Sequence, residues 1–515
     1  MHSIDLDILK VILSYFEKDP FQIGLDWEGT MKNIRLRSII LTACFLVLTN
    51  FSFSRKADDP IKEEALRIID QKSQLLTDVS DKIWGYAEIA LLEYESSELL
   101  EGILSKEGFR VEKGVADLPT AFVATFGSGR PVIGVLAEYD ALPGLSQDST
   151  PFKKVLEEQG SGHGCGHNLF GAGSLGAALA LKEVMEKHAI KGTLKFYGCP
   201  AEEDVGGKLY MARDGLFDDL DACLAWHPSY ETSVDVDSGQ AVDDLEVEFF
   251  GKAAHAAFDP WKGNSALDAV EMMAFGVNLL REHVKPSVRI HYVITDGGKV
   301  PNIVPEYAKI WIWVRDMDRA GVKTVVKKVE KIIEGAALAT GTTHKIHYKG
   351  SYHEMLINRK GSEIMQENLE KVGSITYTEE EIQYARQIQR ETKVEEKGMV
   401  ADIEALKEPP EYPEGGSTDV AEVSWITPTV HLSTTCAPYG IPWHSWAVVT
   451  SSKHPIGYKG MLRAAKVLAA TALDFFRKPD VLEEMKKEFD EKRGSYTYQS
   501  GISPDQKPPL RIKKK

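Results

Sequence analysis

The sequence predicts an α/β protein: a mostly parallel sheet flanked by helices, interrupted by a smaller α+β unit of β-α-β-β-α-β order. Three observations carry this. Short apolar runs bounded by Gly and Pro alternate with helical patterns up to residue 240, as parallel strands and their crossovers do. From about Ala241 a second, self-contained pattern begins. The last third then returns to strands and a long helix that belong with the first layer.

The elements follow in order. Residues 61–104 are helical in pattern and stop at Gly108, and 121–126 and 131–137 read as strands. Residues 169–188 are rich in Ala and Leu at helical spacing, and strands 193–198 and 222–225 flank a short helix at 207–214. The second pattern holds a strand (245–250), a helix (265–284), two strands (288–295 and 308–315, with Trp311 and Trp313 on one face), a helix (321–338) and a closing strand (344–350). In the last third, 429–433 and 447–450 read as strands and 458–476 as a helix. Residues 379–412 read as a charged helical excursion over the surface, ending at Pro409-Pro410. The expected division is therefore an upstream extension (1–30), a signal peptide (31–54), an α/β domain in two parts (55–240 and 351–480) around an inserted α+β domain (241–350), and a C-terminal tail (481–515).

A chain of 515 residues exceeds what one simple core holds, and its formal charge of −16 argues against nucleic acid or an anionic membrane surface as partner. The basic end from Arg511 to Lys515 is short and reads as a solvated terminus. Near the other end, the basic stretch Met31 to Arg37, the apolar run 38–48 and Ser52-Phe53-Ser54 have the layout of a secretory leader, so translation is expected to begin at Met31 and the product to be exported. Leu41-Thr42-Ala43-Cys44 offers a lipoprotein alternative and a buried or anchoring helix another; the run is short for a stable membrane span. Five cysteines show no disulfide framework, and Cys199 and Cys223 read as buried hydrophobes.

The chemistry concentrates in Gly162-His163-Gly164-Cys165-Gly166-His167-Asn168, a thiolate and two imidazoles on a glycine-loosened backbone. Pro200-Ala201-Glu202-Glu203, Trp226-His227-Pro228 and Pro442-Trp443-His444-Ser445 follow downstream. Cys165, His167, Glu203, His227 and His444 form a candidate ligand set for zinc, manganese or cobalt. Five protein ligands exceed the needs of one tetrahedral catalytic ion and suit two. Glu202 is the candidate general base, since adjacent carboxylates in a loop can diverge, one toward the metal and one toward the attacking water.

With Ala137-Glu138-Tyr139-Asp140-Ala141-Leu142-Pro143, Gly251 to Ala257, Val300 to Glu306 and Gly416-Ser417-Thr418-Asp419-Val420, these motifs cover residues 61–476 and resemble the aminobenzoyl-glutamate utilisation protein B group of amidohydrolases. That group belongs to the aminoacylase and carboxypeptidase-G-like metallopeptidase superfamily. The resemblance implies a di-metal catalytic domain interrupted by a lid that dimerises, or pairing with a homologous second chain. It implies the ligand set above, Glu202 as base, and Asp140 as the carboxylate behind the metal centre. It further implies His255 on the lid as oxyanion stabiliser, often reaching across the dimer, and Asn302 and Arg315 as holders of the substrate's carboxylate. Where the carboxypeptidase branch has a metal-binding histidine this chain has Glu138, so the centre is expected to lean on Cys165 and His167. The expected activity is hydrolysis of a small N-acyl or aryl-acyl amino acid, resembling p-aminobenzoyl-glutamate. A dipeptidase or aminoacylase with the same machinery is the neighbouring reading, and a non-catalytic metal-binding or ligand-binding protein the distant one.

Overall fold

The computed structural model describes residues 59–413 and 416–511. The residues expected to form the leader and the upstream extension, with Cys44, lie outside the described residues. The first segment of the larger domain runs α1 (Pro60–Gln71), α2 (Ser73–Tyr86), α3 (Tyr94–Lys106), β1 (Arg110–Lys113), β2 (Phe122–Ser128), β3 (Val132–Glu138), α4 (His167–Lys187), β4 (Gly192–Cys199), α5 (Gly207–Arg213), β5 (Ala222–Ser229) and β6 (Ser233–Asp235). The inserted unit is β7 (Ala241–Phe250), α6 (Ala266–Leu280), β8 (Arg289–Asp296), β9 (Tyr307–Asp316), α7 (Arg319–Thr340) and β10 (Thr343–Tyr352). The chain then returns through α8 (Arg359–Val372), α9 (Glu379–Thr392), α10 (Val420–Ser424), β11 (Thr429–Thr435), α11 (Trp446–Ser451), α12 (Pro455–Arg477) and α13 (Pro479–Arg493).

The larger sheet has the order β1-β2-β4-β3-β5-β11-β6. Its centre, β4-β3-β5-β11, is parallel, and the β1-β2, β2-β4 and β11-β6 pairs are antiparallel. Covered on both faces, β3 is buried along its whole length, which explains its unbroken apolar run. Helix α4 is apolar nearly all round (Leu169, Phe170, Leu175, Leu179, Leu181) and is correspondingly sunk between α12, α2 and the sheet. Each such buried aliphatic or aromatic side chain contributes roughly 1.5–3 kcal/mol.

The inserted unit is an antiparallel sheet of order β10-β7-β9-β8. Along β9 buried and part-exposed residues alternate strictly. Val247, Ile310, Ile312 and Val314 meet Val270, Met273, Val329 and Ile333 of α6 and α7 in a core of its own. Among the described residues no helix is long and apolar enough to cross a membrane.

Three expectations fail locally. Residues 447–450 are helical, because Ser445 Oγ caps the Ala447 N–H (3.2 Å) and starts α11; their β-branched composition misleads. The charged stretch is helical only over α9, which opens on a Thr378–Glu381 capping box and ends at Lys393 (φ 58°). It is also no mere surface excursion, since Ala385 and Ile388 are buried in small clusters with Ile456, Ile441 and Ala447. Of the basic end only Arg511 lies among the described residues, exposed and paired with Asp204, while the tail beyond α13 bonds Leu209 through Ser500 and Lys349 through Gln506.

Candidate active site

Because β4, β3, β5 and β11 run parallel and adjacent, their carboxyl ends lie side by side, where open α/β sheets place their sites. Glu138 and Asp140 leave β3, the Pro200–Glu203 turn leaves β4, and His227 stands near the end of β5. The loop between β3 and α4 delivers Cys165 and His167; it turns into the helix at Gly166, whose φ of 80° strongly favours glycine. His444 arrives after β11, its backbone N–H bonded to Gly164 O at 3.1 Å, with φ of 51°. A non-glycine residue in that region costs about 1–2 kcal/mol, as strained functional positions do.

Two donor triads result. Cys165, His167 and His227 bring their ligand atoms within 4.8 Å of one another, and so do Cys165, Glu203 and His444. Cys165 Sγ is common to both. It lies 3.3 Å from His227 Nε2, and Glu203 Oε2 is 3.4 Å from His444 Nε2. These spacings suit a cation: donors about 2.0–2.3 Å from a tetrahedral ion lie about 3.3–3.7 Å apart. Asp140 Oδ1 accepts from His167 Nδ1 at 2.8 Å, and its Oδ2 accepts the Glu203 N–H at 2.9 Å. His167 Nε2, 3.2 Å from Glu138 Oε2, and Glu203 Oε1 are buried with no hydrogen-bond partner, as atoms that ligate a cation would be. The residues present therefore fit a pair of divalent ions.

Without metal, this crowd of donors is electrostatically frustrated. Burial pushes the Glu203 carboxyl up to about 7 and brings the His227 imidazole down to about 4. Burial would also lower His167, but Cys165 and Asp140 outweigh it and hold the imidazole well above its usual range. Glu202 is raised well above the carboxylate range by burial and by repulsion from Glu138 and Glu203. Its carboxyl lies within 4.8 Å of donor atoms of His167 and Glu138, a third grouping that meets the first triad at His167.

The site opens into a cavity of about 650 Å³ whose lining includes Glu202, Glu203, His227, Arg315, Trp443 and His444. Arg315 reaches it from β9, its guanidinium 4.9 Å from the centre of the Trp313 ring and bonded to Ser417 Oγ at 2.7 Å. The structure does not bring His255 or Asn302 to this cavity. Both are exposed on neighbouring loops of the inserted unit, joined by the His255–Ile303 bridge and the bond from Ala256 N to Asn302 O. His163, the other imidazole of the glycine-rich loop, turns away onto Ile83 O.

Residues 134–437 match the Peptidase family M20/M25/M40. The chain is 36% identical over 472 residues to the B component of p-aminobenzoyl-glutamate hydrolase of Escherichia coli, covering 85% of this chain and 98% of that protein. The chain belongs to the M20/M25/M40 peptidase family. It is thus a metal-dependent amidohydrolase or peptidase, not a mere binding protein. It is also 31% identical to the Xaa-Arg dipeptidase of Mus musculus, over 83% of this chain and 92% of that one. Among solved structures it is similar to a Bacillus subtilis protein described as a dinuclear metal binding peptidase from the M20 family. That likeness, with a TM-score of 0.54 and 18% identity over 79% of this chain and 99% of the other, is one of fold.

Within this M20 site several residues escaped sequence reasoning. Trp443 Nε1 donates to Cys165 Sγ at 3.3 Å. Lys208, fully buried, grips Glu138 Oε1 (2.6 Å) and Asp419 Oδ1 (2.5 Å), so Glu138 is tied into an ion cluster. The pair Gly206-Gly207 was its signal: a Cβ on Gly207 would stand 2.1 Å from Pro200 O, so only glycine lets α5 start against the Glu202 turn. Glu93, in the first helical region, carried no signal at all.

Proposed function

We propose that this chain hydrolyses the amide bond of an N-acyl or aryl-acyl amino acid of the p-aminobenzoyl-glutamate type at a pair of divalent cations. The observation that carries the reading is the sharing of Cys165 Sγ by two donor triads beside the Glu202 carboxyl. In it Cys165, His167, Glu203, His227 and His444 would hold the pair, with Cys165 within reach of both triads. A thiolate, three imidazoles and a carboxylate suit zinc, manganese or cobalt. Bound there, the ions supply Lewis acidity toward the scissile carbonyl and the attacking water. Glu202 takes the proton of that water and hands it to the leaving nitrogen, a role for which its carboxyl must shuttle between charged and neutral forms. Asp140 holds His167 and Glu203 in register, and Arg315 offers a planar fork to the free carboxylate of the amino acid.

His255 and Asn302 enter this mechanism from a second subunit, His255 as donor to the developing oxyanion. Their exposure outside the cavity supports this, as does the apolar outer face of α6, where Met272, Phe275 and Leu279 are exposed. A second copy of this chain and a homologous chain both fit that role. The similar hydrolase of Escherichia coli is named for two components, A and B, which makes testing both worthwhile. A dipeptidase reading is favoured by one observation: Asp235, Asp237 and Asp244 also line the cavity and would suit a basic side chain.

The test is metal-loaded turnover of p-aminobenzoyl-glutamate, N-acyl amino acids and Xaa-Arg dipeptides by the wild type and by Glu202→Gln. The variant is expected to bind metal normally and to lose about 10²–10⁴-fold in kcat. Unchanged turnover removes Glu202 as the base, and no turnover of any amide by metal-loaded wild type, alone and with a homologous partner chain, removes the reading.

A further inference from the structure

The turn that carries Glu202 is an unusual piece of backbone. Ala201 stands in the left-handed region at φ 61°, a conformation alanine avoids. Its carbonyl accepts from Val205 N (3.2 Å) and Gly206 N (2.7 Å), closing residues 201–206 on themselves. What remains is to hold this closed turn against the sheet. Two buried carboxylates do so, one on each side of Glu202. Asp140 Oδ2 accepts the Glu203 N–H at 2.9 Å, and Glu93 Oε1 accepts the Ala201 N–H at 2.9 Å.

Glu93 comes from the start of α3, 108 residues before the turn, and is fully buried. Its other oxygen accepts from Thr120 Oγ1 at 2.9 Å, and the Thr120 carbonyl accepts in turn from Tyr139 OH at 2.5 Å. A carboxyl group so placed does not line the cavity and belongs to neither donor triad. Burying it is costly unless its oxygens are matched, and here both are matched, one of them to the strained peptide next to Glu202.

We propose that Glu93 is a positioning residue for the reaction: by gripping the Ala201 amide it holds the left-handed peptide in place and aims Glu202 at the reacting atoms. This rests on Glu202 as the general base. The Glu203 side of the turn has its own anchor in Asp140, so loss of Glu93 releases the Glu202 side while the metal donors stay. Substrate binding through Arg315 is likewise untouched.

The experiment compares Glu93→Ala and Glu93→Gln in the full chain, loaded with metal. Glu93→Ala is expected to lose about 10²-fold in kcat, the effect of a roughly 1 Å misplacement, with KM and metal content unchanged. Glu93→Gln keeps an acceptor for Ala201 N and lets the Thr120 hydroxyl rotate to accept, so it recovers most of the rate. Adding Ala201→Gly to Glu93→Ala is expected to restore part of the loss, because glycine occupies the left-handed region without the anchor. Hydrogen exchange supplies a readout that needs no activity: peptides covering 199–206 lose protection in Glu93→Ala while the rest of the sheet keeps it. If Glu93→Ala does not fold, Glu93→Asp, whose carboxylate withdraws by about 1.5 Å, takes its place. Unchanged exchange at 199–206, or a kcat that falls equally in Glu93→Gln, overturns the proposal. An inactive wild type whose 199–206 segment still loosens in Glu93→Ala overturns the proposed reaction and leaves the anchoring role supported.

Discussion

Replacing Asp140 by Asn tests the metal centre with almost no change of volume. The carboxylate is buried and spends one oxygen on His167 Nδ1–H and the other on the Glu203 N–H, so it orients one donor of each triad. An amide has one acceptor and one donor end. Whichever way the substituted side chain turns, its NH2 meets a donor: either the Glu203 peptide or the His167 ring. In the first case a buried N–H loses its partner, at about 1–3 kcal/mol. In the second, His167 must move its proton to Nε2, the atom that faces the metal position. Either path is expected to lower metal affinity about 10–100-fold, which is about 1.4–2.7 kcal/mol. The assay is competition with a graded chelator, following metal release and, separately, the melting temperature of the metal-free protein. An affinity equal to wild type would refute the claim that Asp140 organises the donors; a lowered melting temperature alone would reduce it to a packing role.

Two further outcomes follow from the same geometry. Without metal, Glu93 and Glu203 are raised to about 8 and about 7, above an unfolded value of 4.5, and His167 is raised above 6.5. Groups raised in the folded state contribute stability at low pH that is lost as pH rises through their folded values. The opposing His227 and His163, lowered to about 4 from 6.5, have largely completed their change once pH passes that unfolded value. Between about pH 6.5 and 8 the metal-free protein should therefore lose stability as pH rises, read from its melting temperature, whereas added metal at about 100 times its Kd should add about 2.7 kcal/mol; a flat or rising profile without metal contradicts the assignment. For the second subunit, His255→Ala and Glu202→Gln are each expected to be inactive alone and to regain turnover when unfolded and refolded together, because a mixed dimer assembles one complete site; no recovery in a confirmed mixed dimer rules out His255 acting across the subunit boundary.

Much of this protein was legible in its residues. The alternation of apolar runs with helical patterns marked the α/β layer, and the change of pattern near Ala241 marked the inserted unit, because periodicity reports local geometry directly. The donor types at Cys165, His167, Glu203, His227 and His444 were legible for a related reason: soft and borderline ligands in loops after strands have few other uses. The failures were equally physical. Val448 and Val449 read as a strand, but a cap at Ser445 and the helix it starts override side-chain preference. His163 and His167 look alike in the chain, and only the packing of one against Ile83 O separates them.

Local pattern in the chain marked most of the elements and named the side chains that offer metal donors or a group to move a proton. Tertiary packing settled their company. The order β4-β3-β5-β11 brings four distant carboxyl ends together, which makes one cysteine common to two triads and sets Lys208 against Glu138. It also lays Glu93 under Ala201 across 108 residues, a contact with no local signature, because strand order follows from how buried faces pack and not from any short-range pattern.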